Sequence, residues 1–236
     1  MVSRRRRRKA PRPGRRRNEA IVDGDAPGRE NTIRCFVAVT APQAVRGQAA
    51  DIQAALQGRR ELSGIRWLKP DAFHITLKFL GDVPAEDISY IAQQLSIVSQ
   101  GCRPTQIRLD RLGVFPNAKR PRVLWWGSDP EAVPAEFRAV HFHVQEALHL
   151  LGFEKEDRPF HPHLTLGRIR ENVDPGRVAE AIREIESGLE ADFPIRRIEL
   201  MESRLHPQGA VYETLAEVAI EEKTGGGGEG ERAAVD

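Results

Sequence analysis

The sequence predicts a mixed helix-and-strand fold built as two copies of one lobe. Three observations carry that prediction. The tetrapeptide His-x-Thr-Leu occurs at His74–Leu77 and again, 89 residues on, at His163–Leu166. Around each copy the hydrophobic periodicity runs in one order: strand, helix, strand, helix, strand. A length of 236 residues with 40% hydrophobic content suits one large domain, or two small lobes sharing a core.

CFVAV, residues 35–39, is a short apolar strand. Thr40 to Gln43 has the form of a capping box with Pro42 near the first turn. It opens a helix whose inner stripe is Val45, Ala49, Ile52 and Leu56. FHITLKFLG, residues 73–81, is the second strand, and a helix from about Pro84 presents Ile88, Ile91, Leu95 and Val98. QIRLDRLGVF, residues 106–115, alternates as one strand.

The second half repeats this order. RVLWWG, residues 122–127, is a strand, and Pro134 opens a helix with Phe137, Val140, Val144, Leu148 and Leu151 inward and Gly152 as its stop signal. FHPHLTLGR, residues 160–168, is the next strand, followed by a helix from about Pro175 with Val178, Ile182, Ile185 and Leu189 on one face. Two strands, 194–205 and 210–220, close the chain around a turn at Pro207-Gln208-Gly209. A pseudo-two-fold relating the halves sets equivalent strands together across a groove.

The net charge of +2 conceals an uneven distribution: residues 1–17 hold ten Lys/Arg and no acid, while residues 34–220 carry about −2. The folded part is therefore no basic nucleic-acid platform. Residues 1–33 are expected to form a basic disordered tail. No apolar stretch follows the arginines, so it is not a secretory signal, and its polar Pro/Gly run cannot form a core. Two readings of it stand side by side: a segment contacting RNA or ribosomes through phosphates, or a solvated extension or over-long gene start. Residues 221–236, rich in Gly and Glu, are a flexible tail. No apolar run approaches the roughly 18 residues of a membrane span. Cys35 and Cys102 have no metal-type spacing and are too few for a disulfide framework. A cytoplasmic monomer with no membrane partner is the expectation.

The repeated tetrapeptide suggests chemistry. On a strand, residues i and i+2 share a face, so His74 projects with Thr76 and His163 with Thr165, while Ile75, Leu77, Leu164 and Leu166 turn inward. Opening a phosphodiester needs a base for the nucleophile's proton and an acid for the leaving oxygen. Imidazole serves either role near neutral pH, each such group contributing about 10²–10⁴-fold. Threonine hydroxyls can donate to the non-bridging oxygens, where charge accumulates. Nothing in this scheme requires a metal or other cofactor. The competing reading is a three-histidine zinc site of His161, His163 and His74. It leaves the threonines unexplained and lacks a nearby acid or cysteine, so no metal is assigned. His141, His143, His149 and His206 read as surface, interface or turn residues.

The paired motifs in this order of elements resemble the 2H phosphoesterase superfamily. More narrowly, the chain resembles the bacterial and archaeal RNA 2′,3′-cyclic phosphodiesterases, historically called 2′-5′ RNA ligases. RCFVAV (34–39), WLKPDAFHITLKFLGDV (67–83), GVFPNAKRPRVLWWG (113–127), RPFHPHLTLGR (158–168) and IELMESRLHPQGAVYETL (198–215) carry the likeness. The resemblance implies an α+β fold of two pseudo-symmetric lobes, with antiparallel sheets lining a central cleft and helices on the outer faces. It implies an RNA end with a 2′,3′-cyclic phosphate as substrate, hydrolysed to a 2′-phosphate. His74 and His163 match the catalytic histidines, and Thr76 and Thr165 the phosphate-holding threonines. His74 is then the acid and His163 the base, although the residues alone leave that order open. Arg168 and Arg122 lie in matching segments as candidate phosphate or backbone contacts, Arg122 equally as a strand charge. Phe79 and Phe160 are candidates to stack a base, with core packing as the competing role.

Three rival functions follow. A 2′-5′ RNA ligase would join a 5′-hydroxyl to the cyclic phosphate, in competition with water at about 55 M. A phosphodiesterase of small cyclic nucleotides or 2′-5′ oligonucleotides would use the same motifs. A non-catalytic RNA-binding module would carry a broken motif, and both copies here are intact.

Overall fold

The computed structural model describes residues 31–206 and 209–222. The expected turn at Pro207-Gln208 and most of both tails lie outside the described residues. In chain order the elements are β1 (Thr32–Thr40), α1 (Gln43–Gln57), β2 (Ile65–Trp67), β3 (His74–Pro84), α2 (Ile88–Gly101), β4 (Thr105–Leu109) and β5 (Arg111–Phe115). They continue as β6 (Val123–Gly127), α3 (Ala135–Leu150), β7 (His163–Ile169), α4 (Pro175–Ile185), β8 (Ala191–Ile195), β9 (Arg197–His206) and β10 (Gly209–Ala219).

The topology displays the duplication. The large antiparallel sheet runs β10-β9-β1-β3-β7-β6-β5, with β2 also on β7, and β4 pairs with β8 in a second small sheet. Set β10 and β2 aside, and β9-β1-β3 is the two-fold equivalent of β5-β6-β7. Each half thus lends its last strand to the other half's edge, and β4–β8 is the pair on the axis. The two halves meet where Ile75 of β3 lies opposite Leu164 of β7. The fold is α+β, and the sheets of its two lobes join there into one.

One face of this sheet is the core. Val37, Val39, Ile75, Leu77, Leu124, Leu164, Leu166 and Leu200 are all within 1% of complete burial, and they form one cluster with the inner stripes of the four helices. Amphipathicity explains why the helices stay on this side: each has one apolar stripe to bury. The opposite face carries smaller apolar groups, Phe36, Ala38 and Met201 with Tyr212 on one side and Phe115 with Trp125 on the other. That face is the cleft.

Two helix ends follow local chemistry closely. Asp174 caps α4 by accepting from the Gly176 N–H at 2.7 Å, with Pro175 at the first helical position. Gly152 takes φ of 92° after α3, and the N–H groups of Gly152 and Phe153 donate to His149 and Leu148, a Schellman ending. The capping box expected at Thr40 does not form, and no side chain caps α1. Buried Glu199 takes Thr40 instead, accepting from its N–H and its hydroxyl at 2.8 Å each.

Two expected single strands are each two. Residues 106–115 break at Asp110 into β4 and β5, and 194–205 break at Arg196 into β8 and β9. These breaks are equivalent points, where the chain crosses from the small sheet to the large one. β2 is an element the sequence reading lacked, and Leu189 falls beyond the end of α4.

The Glu199 contact supports a stability test. Glu199→Ala leaves the Thr40 N–H buried without its acceptor, an expected loss of about 1–3 kcal/mol. A urea midpoint equal to that of the parent would show that the contact contributes nothing.

Candidate active site

The two motif strands meet at their motifs. Because Ile75 and Leu164 are paired and turned into the core, the residues beside them, His74 and Thr76, His163 and Thr165, all face the cleft. The antiparallel sense sets His74 toward Thr165 and Thr76 toward His163. All four are partly buried, and the threonine hydroxyls have no hydrogen-bond partner among the described residues.

The histidines are held alike. Nδ1 of His74 lies 2.9 Å from the Ala72 carbonyl, and Nδ1 of His163 lies 2.7 Å from the His161 carbonyl. A carbonyl only accepts, so each Nδ1 carries a proton, and in the neutral ring the Nε2 lone pair is left for the cleft. The two strands also share a slip in register immediately after the threonine. β1 pairs Ala38 with Thr76 and Val37 with Lys78, passing over Leu77. β6 pairs Trp125 with Thr165 and Leu124 with Gly167, passing over Leu166.

The carbonyls at these slips are met by two buried glutamines, exchanged between the halves. Gln145 of α3 donates to the Leu77 carbonyl at 3.1 Å, and Gln53 of α1 donates to the Leu166 carbonyl at 2.8 Å. Gln53 also donates to the Leu68 carbonyl at 2.9 Å. Gln145 accepts from the ammonium of Lys78 at 2.8 Å, and Lys78 donates as well to the Glu154 carbonyl. Lys78, only 1% exposed, thus ties the first motif strand to the segment that leads into the second.

The walls differ where the motifs match. His74 sits between Phe36 (centroids 4.7 Å apart) and the edge-on ring of Tyr212 (5.0 Å). His163 sits against Phe115 (4.9 Å) and Trp125 (6.1 Å), with His161 packed on Trp125 at 4.5 Å. Burial pushes His74 down to about 4, opposed by its bond to Ala72 and reinforced by the nearby His163. Burial also lowers His163, against the pull of the His161 carbonyl. Both rings are neutral at pH 7, and a proton on one disfavours a proton on the other.

Gly127 lets β6 approach: a Cβ there would lie 2.5 Å from the Pro162 carbonyl oxygen and 3.0 Å from the His163 Cβ. Arg168 is exposed, three residues along β7 from Thr165, and has no ion pair among the described residues. Arg122 precedes β6, its guanidinium bound to Glu171. Phe79 is 67% exposed and adjoins Phe36 at 6.3 Å, on the His74 side of the cleft. Phe160 stacks on His141 at 3.9 Å and meets Phe137, so it belongs to the packing around α3. Among the described residues no group of three or more His, Cys, Asp or Glu is placed to hold a metal ion.

The sequence profile of the LigT like Phosphoesterase family matches residues 39–125 and 129–212, both motifs included. The chain belongs to this family. It is 35% identical over 184 residues to the RNA 2′,3′-cyclic phosphodiesterase of Archaeoglobus fulgidus, covering 78% of this chain and 98% of that one. It is 31% identical to the Methanocaldococcus jannaschii protein of the same name, over 78% and 99% of the two chains. Two solved structures share the fold. A Thermus thermophilus protein superposes with TM-score 0.64 at 24% identity, over 80% of this chain and 98% of that one. E. coli LigT complexed with 3′-AMP gives 0.61 at 22%, over 81% and 100%.

Sequence reasoning missed Gln53 and Gln145 in this LigT-like phosphoesterase, although the signal was present. Each is a polar residue adjoining the inner stripe of its helix, after Ile52 and after Val144, at the eleventh position of α1 and of α3. Gln145→Leu removes the donor to the Leu77 carbonyl and leaves the Lys78 ammonium only the Glu154 carbonyl of its two acceptors, while Gln53→Leu leaves the Leu166 carbonyl still bonded to the Leu68 N–H at 3.0 Å. Gln145→Leu is therefore expected to lose more stability than Gln53→Leu, by about 1–3 kcal/mol. Denaturant midpoints check the order, and the reverse order would refute the Lys78 argument.

Proposed function

We propose that this protein hydrolyses RNA 2′,3′-cyclic phosphate ends to 2′-phosphates by acid–base catalysis between His74 and His163. The observation that carries the proposal is the matched pair of imidazoles, each with Nδ1 tied to the carbonyl two residues before it and Nε2 left for the cleft. The names of the archaeal relatives support the substrate class. In this reaction water attacks phosphorus, one imidazole takes its proton, and the other imidazolium protonates O3′ as the P–O3′ bond breaks. Thr76 and Thr165 donate to the non-bridging oxygens. Phe79 stacks the terminal base, and Arg168 meets the phosphate chain. The arginine-rich residues 1–33 add phosphate contacts to longer RNA. The protein acts as a monomer in the cytoplasm.

Free-protein electrostatics bear on how the histidines divide the work. His74, pushed to about 4, holds a proton poorly before substrate arrives. A bound phosphate monoanion favours the imidazolium and restores it. If His74 is the acid, as the resemblance implies, the substrate itself brings the acid into its working state.

Three experiments test this. The productive free protein carries one proton on the pair, and both rings titrate below the ordinary 6.5, so that form peaks below pH 6.5 and declines above it. The kcat/KM profile is therefore expected to peak below pH 6.5, and that of kcat at higher pH. A kcat/KM optimum above pH 7.5 would refute it. On a 3′-thio cyclic phosphate, whose leaving group needs no proton, His74→Ala should recover activity while His163→Ala stays inactive, each having lost about 10²–10⁴-fold on the oxygen substrate. The opposite pattern exchanges the roles, and recovery of neither removes acid catalysis from the reading. Excess EDTA should leave the rate unchanged.

A further inference from the structure

We infer that the groove beneath the β9–β10 hairpin is a cationic subsite for the nucleotide upstream of the cyclic phosphate end. This rests on the reading of the cleft as a cyclic phosphodiesterase site, and it explains how such a site would distinguish an RNA end from a free cyclic mononucleotide.

The groove lies between the segment leading into the first motif and the hairpin. It encloses about 240 Å³, and Arg66, Trp67, Lys69, His206, Gly209 and Val211 line it. Ile65 and Trp67 pack into the core, so Arg66 between them points to the cleft face. Arg66 reaches under the hairpin: a Cβ built on Gly209 would lie 3.3 Å from its Nη2. In register opposite Arg66 on β7 is Arg168, three residues and thus about 10 Å from Thr165. From the cleft, Arg168 leads to Arg66 and then to Lys69, whose chain continues through Ala72, the acceptor for His74, into the motif itself. On the other side Tyr212, next to Val211, closes on His74.

The charge here is not a sample of the surface. Residues 34–220 carry about −2, yet no acidic residue lines this groove. Elsewhere on the hairpin Arg204 is already matched by Glu202 and Glu213. Lys69, Arg168 and His206 have no ion pair among the described residues. A guanidinium presents planar, forked donors and Lys69 a mobile point charge, a combination suited to phosphate oxygens. The half-exposed Val211 adds an apolar surface for a base. The chemistry fits one occupant: the next phosphodiester of the same RNA strand, with its nucleoside.

The test compares a 2′,3′-cyclic mononucleotide with a five-nucleotide RNA ending in the same cyclic phosphate, using the full chain throughout. The parent should prefer the five-mer in kcat/KM at low salt. In Arg66→Ala/Lys69→Ala that preference should fall at least tenfold, chiefly through KM. The salt slope of log KM for the five-mer should drop by about 0.7 per lost phosphate contact. Equal kcat/KM for the two substrates in the parent, or equal losses on both in the variant, would overturn the subsite. If the double variant melts early, Lys69→Glu is read by the same ratio. If the parent cleaves neither substrate, the phosphodiesterase reading fails. Anisotropy of a labelled five-mer bearing a 3′-phosphate then decides the subsite: at least tenfold weaker binding by the variant supports it, and an equal Kd removes it.

Discussion

The meeting of β3 and β7 at Ile75 and Leu164 is the constraint on which the cleft depends. Side chains on a strand alternate, so burying that one pair commits their four neighbours to the other face. A slip of one residue would send the histidines into the core and the leucines into the cleft. The structure guards against the slip from behind. The register irregularities after Thr76 and Thr165 leave the Leu77 and Leu166 carbonyls out of the regular ladder, and each is bonded by a glutamine from the opposite half. A carbonyl buried without a donor costs about 1–3 kcal/mol, so the glutamine of α3 holds the first motif in register, while at the second Gln53 shares the Leu166 carbonyl with the Leu68 N–H. Neither half has this contact alone.

The exchange of last strands works in the same direction. β5 leaves the first half to pair with β6, and β9 leaves the second half to pair with β1. Separating the lobes would break both edges of the sheet as well as the central join. A cleft formed between equivalent strands therefore does not depend on a small interface to keep its shape.

Much of this was legible in the sequence because the duplication is written in motifs and periodicity. The repeated His-x-Thr-Leu located both strands and their faces, and the inner stripes of the four helices read correctly except at two C-terminal ends, where Leu151 and Leu189 lie beyond α3 and α4. The strand breaks at Asp110 and Arg196 were missed for a specific reason: alternation continues across them while its phase changes. Ile107 and Leu109 are inward, then Leu112; Phe193 and Ile195 are inward, then Ile198 and Leu200. The odd-to-even shift was the signal. The Thr40 capping box failed because its competitor, Glu199, lies 159 residues away, beyond any local rule. Phe79 follows the first motif and Phe160 precedes the second, and one is exposed by the cleft while the other is stacked on His141. The difference comes from α3, and no pattern within either segment reveals it.

Duplication also creates a difficulty, since two equivalent imidazoles would share one affinity for protons, while hydrolysis needs one of each kind. β10 helps to remove the equivalence. It follows the last duplicated strand and has no counterpart in the first half, and its Tyr212 closes over His74. The wall of His163 is built instead from Phe115 and Trp125, within the repeated strands themselves. Burial lowers both rings, and His74 is driven to about 4. The same strand forms one side of the groove over Arg66. A single added hairpin strand thus gives the two histidines different walls and supplies one side of the groove inferred above for the upstream nucleotide.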